Sequence, residues 1–196
     1  MTRSHRLLAL QSMTLGALFA SVVSASADCN DNPGPGLDWS GCMKISKVLA
    51  GYDLHGANFI RADLTRSNFK GANLERADFT KANLTRAILR GANLKGATLA
   101  GASATRAYMD SADLRKANLT KIEFNRVDLS ETDLSDALLN GAQLARADLT
   151  MTRLDRADAR NINLSRAVLT GASLAATNLE NAYLYRTNLE GVDLSK

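Results

Sequence analysis

The sequence predicts an all-β solenoid, a rod of short extended segments that turns a corner every five residues. Three observations carry this. First, one central position recurs from Leu54 to Leu194 through 29 five-residue units, with no insertion or deletion. It is Leu in 22 units, Phe in four (Phe59, Phe69, Phe79, Phe124), Met at Met109 and Ala at Ala104 and Ala159. Second, Ala stands two places before it in 19 of the 29 units, and Asp or Asn usually stands one place before it. Neither common element makes use of such a period. On an α-helix each unit would rotate the leucine by about 140° and spread it round the cylinder. On a flat strand an odd spacing would alternate the faces. Only a chain that turns a corner in each unit keeps every Leu and its Ala on one inner side. Fixed self-similarity of this kind decides the architecture.

The third observation sets the number of sides. Grouped by fours, the units form a 20-residue coil with four columns. In one column the position two after the centre reads Arg66, Arg86, Arg106, Arg126, Arg146, Arg166, Arg186. In the next it reads Gly71, Gly91, Ser111, Glu131, Met151, Gly171, Gly191, with no base. The arginine column also alternates small and large two places before the centre, from Ala102 through Ile122, Ala142 and Ile162 to Ala182, as stacked neighbours should. Ala104 lies beneath Phe124 in the same column, so volume lost in one coil is supplied by the next.

Units such as Ala72-Asn73-Leu74-Glu75-Arg76 and Ala112-Asp113-Leu114-Arg115-Lys116 fit the pattern A(D/N)Lxx, and in this the chain resembles the pentapeptide repeat proteins. The resemblance covers 145 of 196 residues. It implies a right-handed quadrilateral parallel β-helix, with Leu, Phe and Ala inside and the other positions outside. The 29 units would make about seven coils, a rod roughly 35 Å long at about 4.8 Å per stacked segment. Burying each Leu or Phe contributes about 2 kcal/mol, an upper figure for a compact unfolded chain. Each coil needs only its neighbours.

Ahead of the repeats, residues 1–27 have a basic start (Arg3, His5, Arg6), an apolar run from Leu7 to Val23 broken by Gln11, Ser12 and Thr14, and a small-residue ending at Ala25-Ser26-Ala27. This reads as a secretory signal peptide, too short and too interrupted for a membrane span. Cleavage after Ala27 leaves 22 bases against 20 acids, a net charge of +2 in place of +4. The expected location is periplasmic or secreted, with no transmembrane span after cleavage.

Residues 28–51 hold both prolines (Pro33, Pro35), the one Trp and the two cysteines, Cys29 and Cys42. An even pair in an exported chain predicts a disulfide, and a loop of this size contributes about 3 kcal/mol in the loop-entropy model. The first coil has an open apolar end that needs covering. The segment is therefore expected to be an N-terminal cap, with Trp39 and Val48-Leu49 laid over Leu54 and Phe59; its Pro/Gly content also fits a linker. Residues 52–196 are the β-helix. Its last coil stays in pattern to Leu194, so a bare end would expose Leu179, Leu184, Leu189 and Leu194, and a tail-to-tail homodimer is expected there.

Nothing in the residues favours catalysis. After cleavage His55 is the one histidine, in an outward position, and the bonded cysteines leave no thiol. There is no phosphate-binding glycine loop and no metal-ligand spacing, so no cofactor and no metal is expected. Carboxylates meet at Asp128 with Glu131 and at Asp133 with Asp136, but on a convex, solvated rod. Charge is the uneven feature. The arginine column carries seven bases against Asp63 and Glu123, for +5, and the following column sums to −3. Two readings stand. Either the arginine stems cover the coil and pair round the corner, Arg126 with Asp128 and Arg146 with Asp148, or the row docks an anionic partner: a phosphate-rich envelope polymer, an anionic lipid surface or an acidic protein.

The role best known for the resembled family is protection of DNA gyrase by rods that imitate DNA, which requires a strongly negative surface. Here that surface is lacking, and a signal peptide leads away from the cytoplasm. Nucleic-acid binding is not expected either, with no aromatic interleaving for stacking. The reading is an exported, non-catalytic interaction or structural module of the cell envelope; the alternative is a DNA-mimicking gyrase or topoisomerase modulator.

Overall fold

The computed structural model describes residues 28–192. The expected signal peptide and Leu194 lie outside the described residues. Parallel bridges join each outward Asx-type position to the one 20 residues on, from Asp38↔Asn58 through Val168↔Asn188. With bridges every five residues and partners 20 apart, each coil has four sides.

One unit shows how the backbone groups are satisfied. The amides of Leu64 and Arg66 donate to the carbonyls of Asn83 and Thr85 in the next coil, at 2.8 and 3.0 Å. Asn83 in turn donates to Ala62, and Ser67 closes the corner by donating back to Leu64 at 3.0 Å. That leaves the amide of Thr65, which turns outward and donates to Asp63 Oδ1 at 3.0 Å. The Asp or Asn before each Leu therefore has a job: its side-chain oxygen takes the one corner amide that no neighbouring coil accepts. The same bond recurs at Asn83, Asp128, Asp148 and Asn178.

Each corner is a four-residue turn, most of them closed by a backbone bond such as Ser67 N–H to Leu64 O, and its third residue has positive φ. The position two after the centre meets this throughout, from Gly36 (φ 66) and Arg66 (φ 59) to Gly191 (φ 71). Inside, the Leu, Phe and Ala of the inner positions from Leu54 to Leu169 are enclosed. Phe59 and Phe79 stack in one column at 4.8 Å, with Phe69 edge-on to both. Ala104 and Phe124 are both buried without exposure, as their stacking requires. Where Ser or Thr replaces the inner Ala, its hydroxyl bonds a carbonyl of the preceding coil, as Thr152 Oγ1 does to Leu129 O at 2.8 Å.

The N-terminal segment covers the first coil by becoming a coil itself. Asp38, Met43 and Val48 bridge to Asn58, Asp63 and Asn68. Trp39 and Leu49 take central places and are buried, and Trp39 meets Phe59 edge-on at 6.2 Å. Val48 departs from the expectation of a residue laid over the core: it stands in the outward bridge position and is 74% exposed. Lys44 occupies a central place that would bury a charge in an inner coil. At this end its ammonium lies 4.2 Å from the Trp39 ring centre and donates to the Cys29 carbonyl. The Cys29–Cys42 disulfide is present, with Cα atoms 5.6 Å apart, and ties this strap to the coil. Replacing both cysteines by serine is expected to lower unfolding free energy by about 3 kcal/mol. Chemical denaturation measures it, and an unchanged midpoint would show that the strap adds nothing to the rod.

Candidate anion-binding face

The seven arginines line up on one side. Each of the row is solvent-exposed and sits at a left-handed corner, with φ between 56° and 61°. For a residue with a Cβ this conformation costs about 1–2 kcal/mol. The other three sides relieve it with glycine at several corners, such as Gly56 and Gly96, Gly71 and Gly91, or Gly101 and Gly141. The arginine side has no glycine at any of its seven corners.

Among the described residues, none of the seven forms an ion pair. The arginines that do are Arg76, Arg90, Arg115, Arg153, Arg156 and Arg160. The pairing round the corner does not form. Asp128 Oδ1 is taken by the amide and hydroxyl of Ser130, at 3.1 and 2.7 Å, and Asp148 Oδ1 by those of Thr150. These oxygens serve the corner amides and hydroxyls. Arg186 lies over the Tyr185 ring at 5.2 Å. Between the Thr and Arg rows runs a groove of about 500 Å³ over four coils, lined by Thr65, Thr85, Thr105 and Asn125 with the four arginines beside them. No acid lines it.

The other singled-out residues fall elsewhere. His55 is exposed and its Nδ1 lies 3.0 Å from Asp53, whose pKa the imidazole hydrogen bond lowers. Asp136 is held by Arg156 in a two-bond pair at 2.8 and 2.9 Å, which lowers its pKa. Hydrogen bonds from Arg115 and Arg160 likewise lower Asp113 and Asp158. No group of three or more metal-ligating side chains occurs among the described residues. At the C-terminal end Leu179 and Leu189 are partly buried against the core, and Leu184 is 39% exposed beside exposed Tyr183 and Tyr185. No helix among the described residues is long and apolar enough to cross a membrane.

The family model for pentapeptide repeats matches residues 53–91, 87–126, 122–161 and 162–196. The chain belongs to the pentapeptide repeat family. Proteins of this family fold as right-handed quadrilateral β-helices, in keeping with the four sides and 20-residue pairing described above. Among solved structures, QnrB1, a plasmid-mediated fluoroquinolone resistance protein, is 16% identical with a TM-score of 0.50, covering 84% of this chain and 93% of its own. That likeness concerns the fold alone. HetL, a pentapeptide repeat protein involved in heterocyst differentiation regulation from the cyanobacterium Nostoc sp. strain PCC 7120, is 28% identical over 82% of this chain and 88% of its own, with a TM-score of 0.28. Rfr23 from the cyanobacterium Cyanothece 51142 is 20% identical over 81% and 91%, with a TM-score of 0.20. None of the curated proteins matches the chain in sequence.

Proposed function

We propose that this protein is an exported, non-catalytic interaction rod of about seven coils in the cell envelope, which docks an extended anionic partner along its arginine side. The observation that carries the reading is the seven-membered row at corners where glycine would relieve the backbone, with its guanidiniums left outside every ion pair among the described residues. Arginine kept where the backbone disfavours it supports a use for the guanidinium, because that planar fork grips phosphate or carboxylate through two bonds. The groove of about 500 Å³ gives such a chain a seat with hydroxyls beside it. A surface of this sign speaks against the alternative, imitation of DNA.

Long-chain polyphosphate is a direct probe. The double variant Arg86→Lys, Arg106→Lys keeps the charge and removes the fork. It is expected to bind several-fold more weakly, since a lysine presents only a point charge. Equal affinity would leave the row as a solvated face. Export is tested by cell fractionation: mature protein beginning at Asp28 is expected in the envelope fraction, and an unprocessed amino terminus in the cytoplasm would overturn that part.

A further inference from the structure

We infer that the first coil carries a membrane-docking rim: Met43, Ile45 and Val48 enter the surface of an anionic bilayer, with Lys47, Arg66 and Lys70 on its phosphates. The observation is a change of residue class at one end of the rod. Met43 and Val48 bridge to Asp63 and Asn68, so they hold outward places that the next coil gives to polar residues. Ile45 likewise stands where the next coil has Thr65. The three are 76%, 46% and 74% exposed, and Tyr52 is exposed at the following corner. The exchange gives up two structural bonds. Asp63 and Asn68 accept the outward amides of Thr65 and Lys70, each at 3.0 Å. Met43 and Val48 have no oxygen to do the same for Ile45 and Ala50. Exposed aliphatic side chains at places where the fold calls for an acceptor support a use outside the fold.

Charge selects the occupant. Over the first three coils, the two sides that meet at this rim (42–51, 62–71 and 82–91) carry Lys44, Lys47, Arg66, Lys70, Arg86 and Arg90. Asp63 is their one acid, and the strap's Asp28 and Asp31 bring the count to six bases against three acids. Arg90 turns to Asp110 of the fourth coil at 2.9 Å. From there the second side becomes acidic, through Asp128, Glu131 and Asp148, so its bases stand at the end that carries the aliphatics. Register sets their depth. Ser46 donates to Thr65 O and Gly51 to Lys70 O, both at 2.9 Å, which places Arg66 and Lys70 one coil behind the rim. At about 4.8 Å per coil, aliphatics reaching about 5–10 Å to the acyl boundary leave these bases at headgroup level. A second copy of the chain fits less well, because a two-fold contact would set Lys47, Arg66 and Lys70 against their own copies. An anionic bilayer takes the aliphatics and the bases together. Held by this end, the rod keeps the arginines from Arg106 to Arg186 clear for the extended partner proposed above.

The test is cosedimentation of the protein with vesicles of phosphatidylethanolamine and phosphatidylglycerol, and with vesicles of phosphatidylcholine alone, at physiological salt. Binding to the anionic vesicles is expected, at least about tenfold tighter than to the neutral ones. Met43→Ser with Val48→Ser should weaken it at least about tenfold, with the melting temperature unchanged because neither side chain is in the core. Lys47→Gln with Lys70→Gln should weaken it by about fivefold per lysine. Arg146→Gln with Arg166→Gln should leave vesicle binding unchanged while weakening polyphosphate binding, which separates this rim from the docking face of the row. Parent and variants share the same amino terminus, so a leader sequence cannot supply the difference between them. The inference is overturned if the anionic vesicles are not bound, if the neutral vesicles are bound equally, or if either rim variant binds like the parent. It is also overturned if the Arg146/Arg166 variant loses as much vesicle binding as the rim variants, which would lay the whole row on the bilayer. A dimer in solution that Met43→Ser with Val48→Ser dissolves would overturn it too, by giving the rim to a second copy.

Discussion

Phe79→Ala is expected to destabilise the rod by about 3–5 kcal/mol, among the larger losses from a single core change in this chain. Phe79 has no exposure, stacks on Phe59 at 4.8 Å with 19° between the rings, and meets Phe69 edge-on at 6.1 Å. Truncation removes the buried ring and also a pair of aromatic contacts each worth about 0.5–1.5 kcal/mol beyond area. The cavity cannot collapse easily. Coil spacing is fixed by the bridges on all four sides, so neighbouring segments cannot move in without giving up hydrogen bonds. Leu184→Ala supplies the contrast: at 39% exposure it should cost far less. Guanidinium denaturation of both variants measures the difference. A Phe79→Ala cost below about 1 kcal/mol would mean that the three phenylalanines do not act as one packed cluster.

Much of this fold was legible because each inner position repeats a single physical demand. Leu at the centre and Ala two before it face inward, and seven arginines in register give 20 residues per coil. What the period left unread was backbone conformation. The left-handed corner was visible in principle: of the twelve glycines after residue 27, all but Gly34 fall two places after a centre. That signal extends into the N-terminal segment, where Gly36, Gly41 and Gly51 keep the five-residue step. The segment was hidden by Lys44 and Lys47, charges at places that elsewhere hold Leu and Ala. At a rod's end a lysine can reach out past the last ring, so the pattern tolerates there what it forbids inside. That the row stands outside every ion pair among the described residues could not be read from the sequence, since Asp128 and Asp148 stand two places after Arg126 and Arg146, yet their oxygens go to the amides and hydroxyls of Ser130 and Thr150.

Replacing all seven row arginines by glutamine is expected to reduce polyphosphate affinity by about a hundredfold or more at low salt, and to remove most of its salt dependence. The same change should leave the fold at least as stable. Stacked guanidiniums about 4.8 Å apart repel by nearly 1 kcal/mol per neighbouring pair in water, less with salt and with splayed side chains. No ion pair among the described residues is lost with them. Changing the row to glycine goes further, since it also relieves left-handed corners that cost about 1–2 kcal/mol each, partly offset by the freer unfolded chain. A row that served the fold would show the reverse order, with arginine the most stable and glycine the least. A row that serves a partner shows stability and affinity moving in opposite directions along the series arginine, glutamine, glycine. Thermal melting and polyphosphate titration on the three proteins read both quantities. If glutamine binds within about twofold of arginine, the row is not the docking face, because a point-charge contribution alone would exceed that.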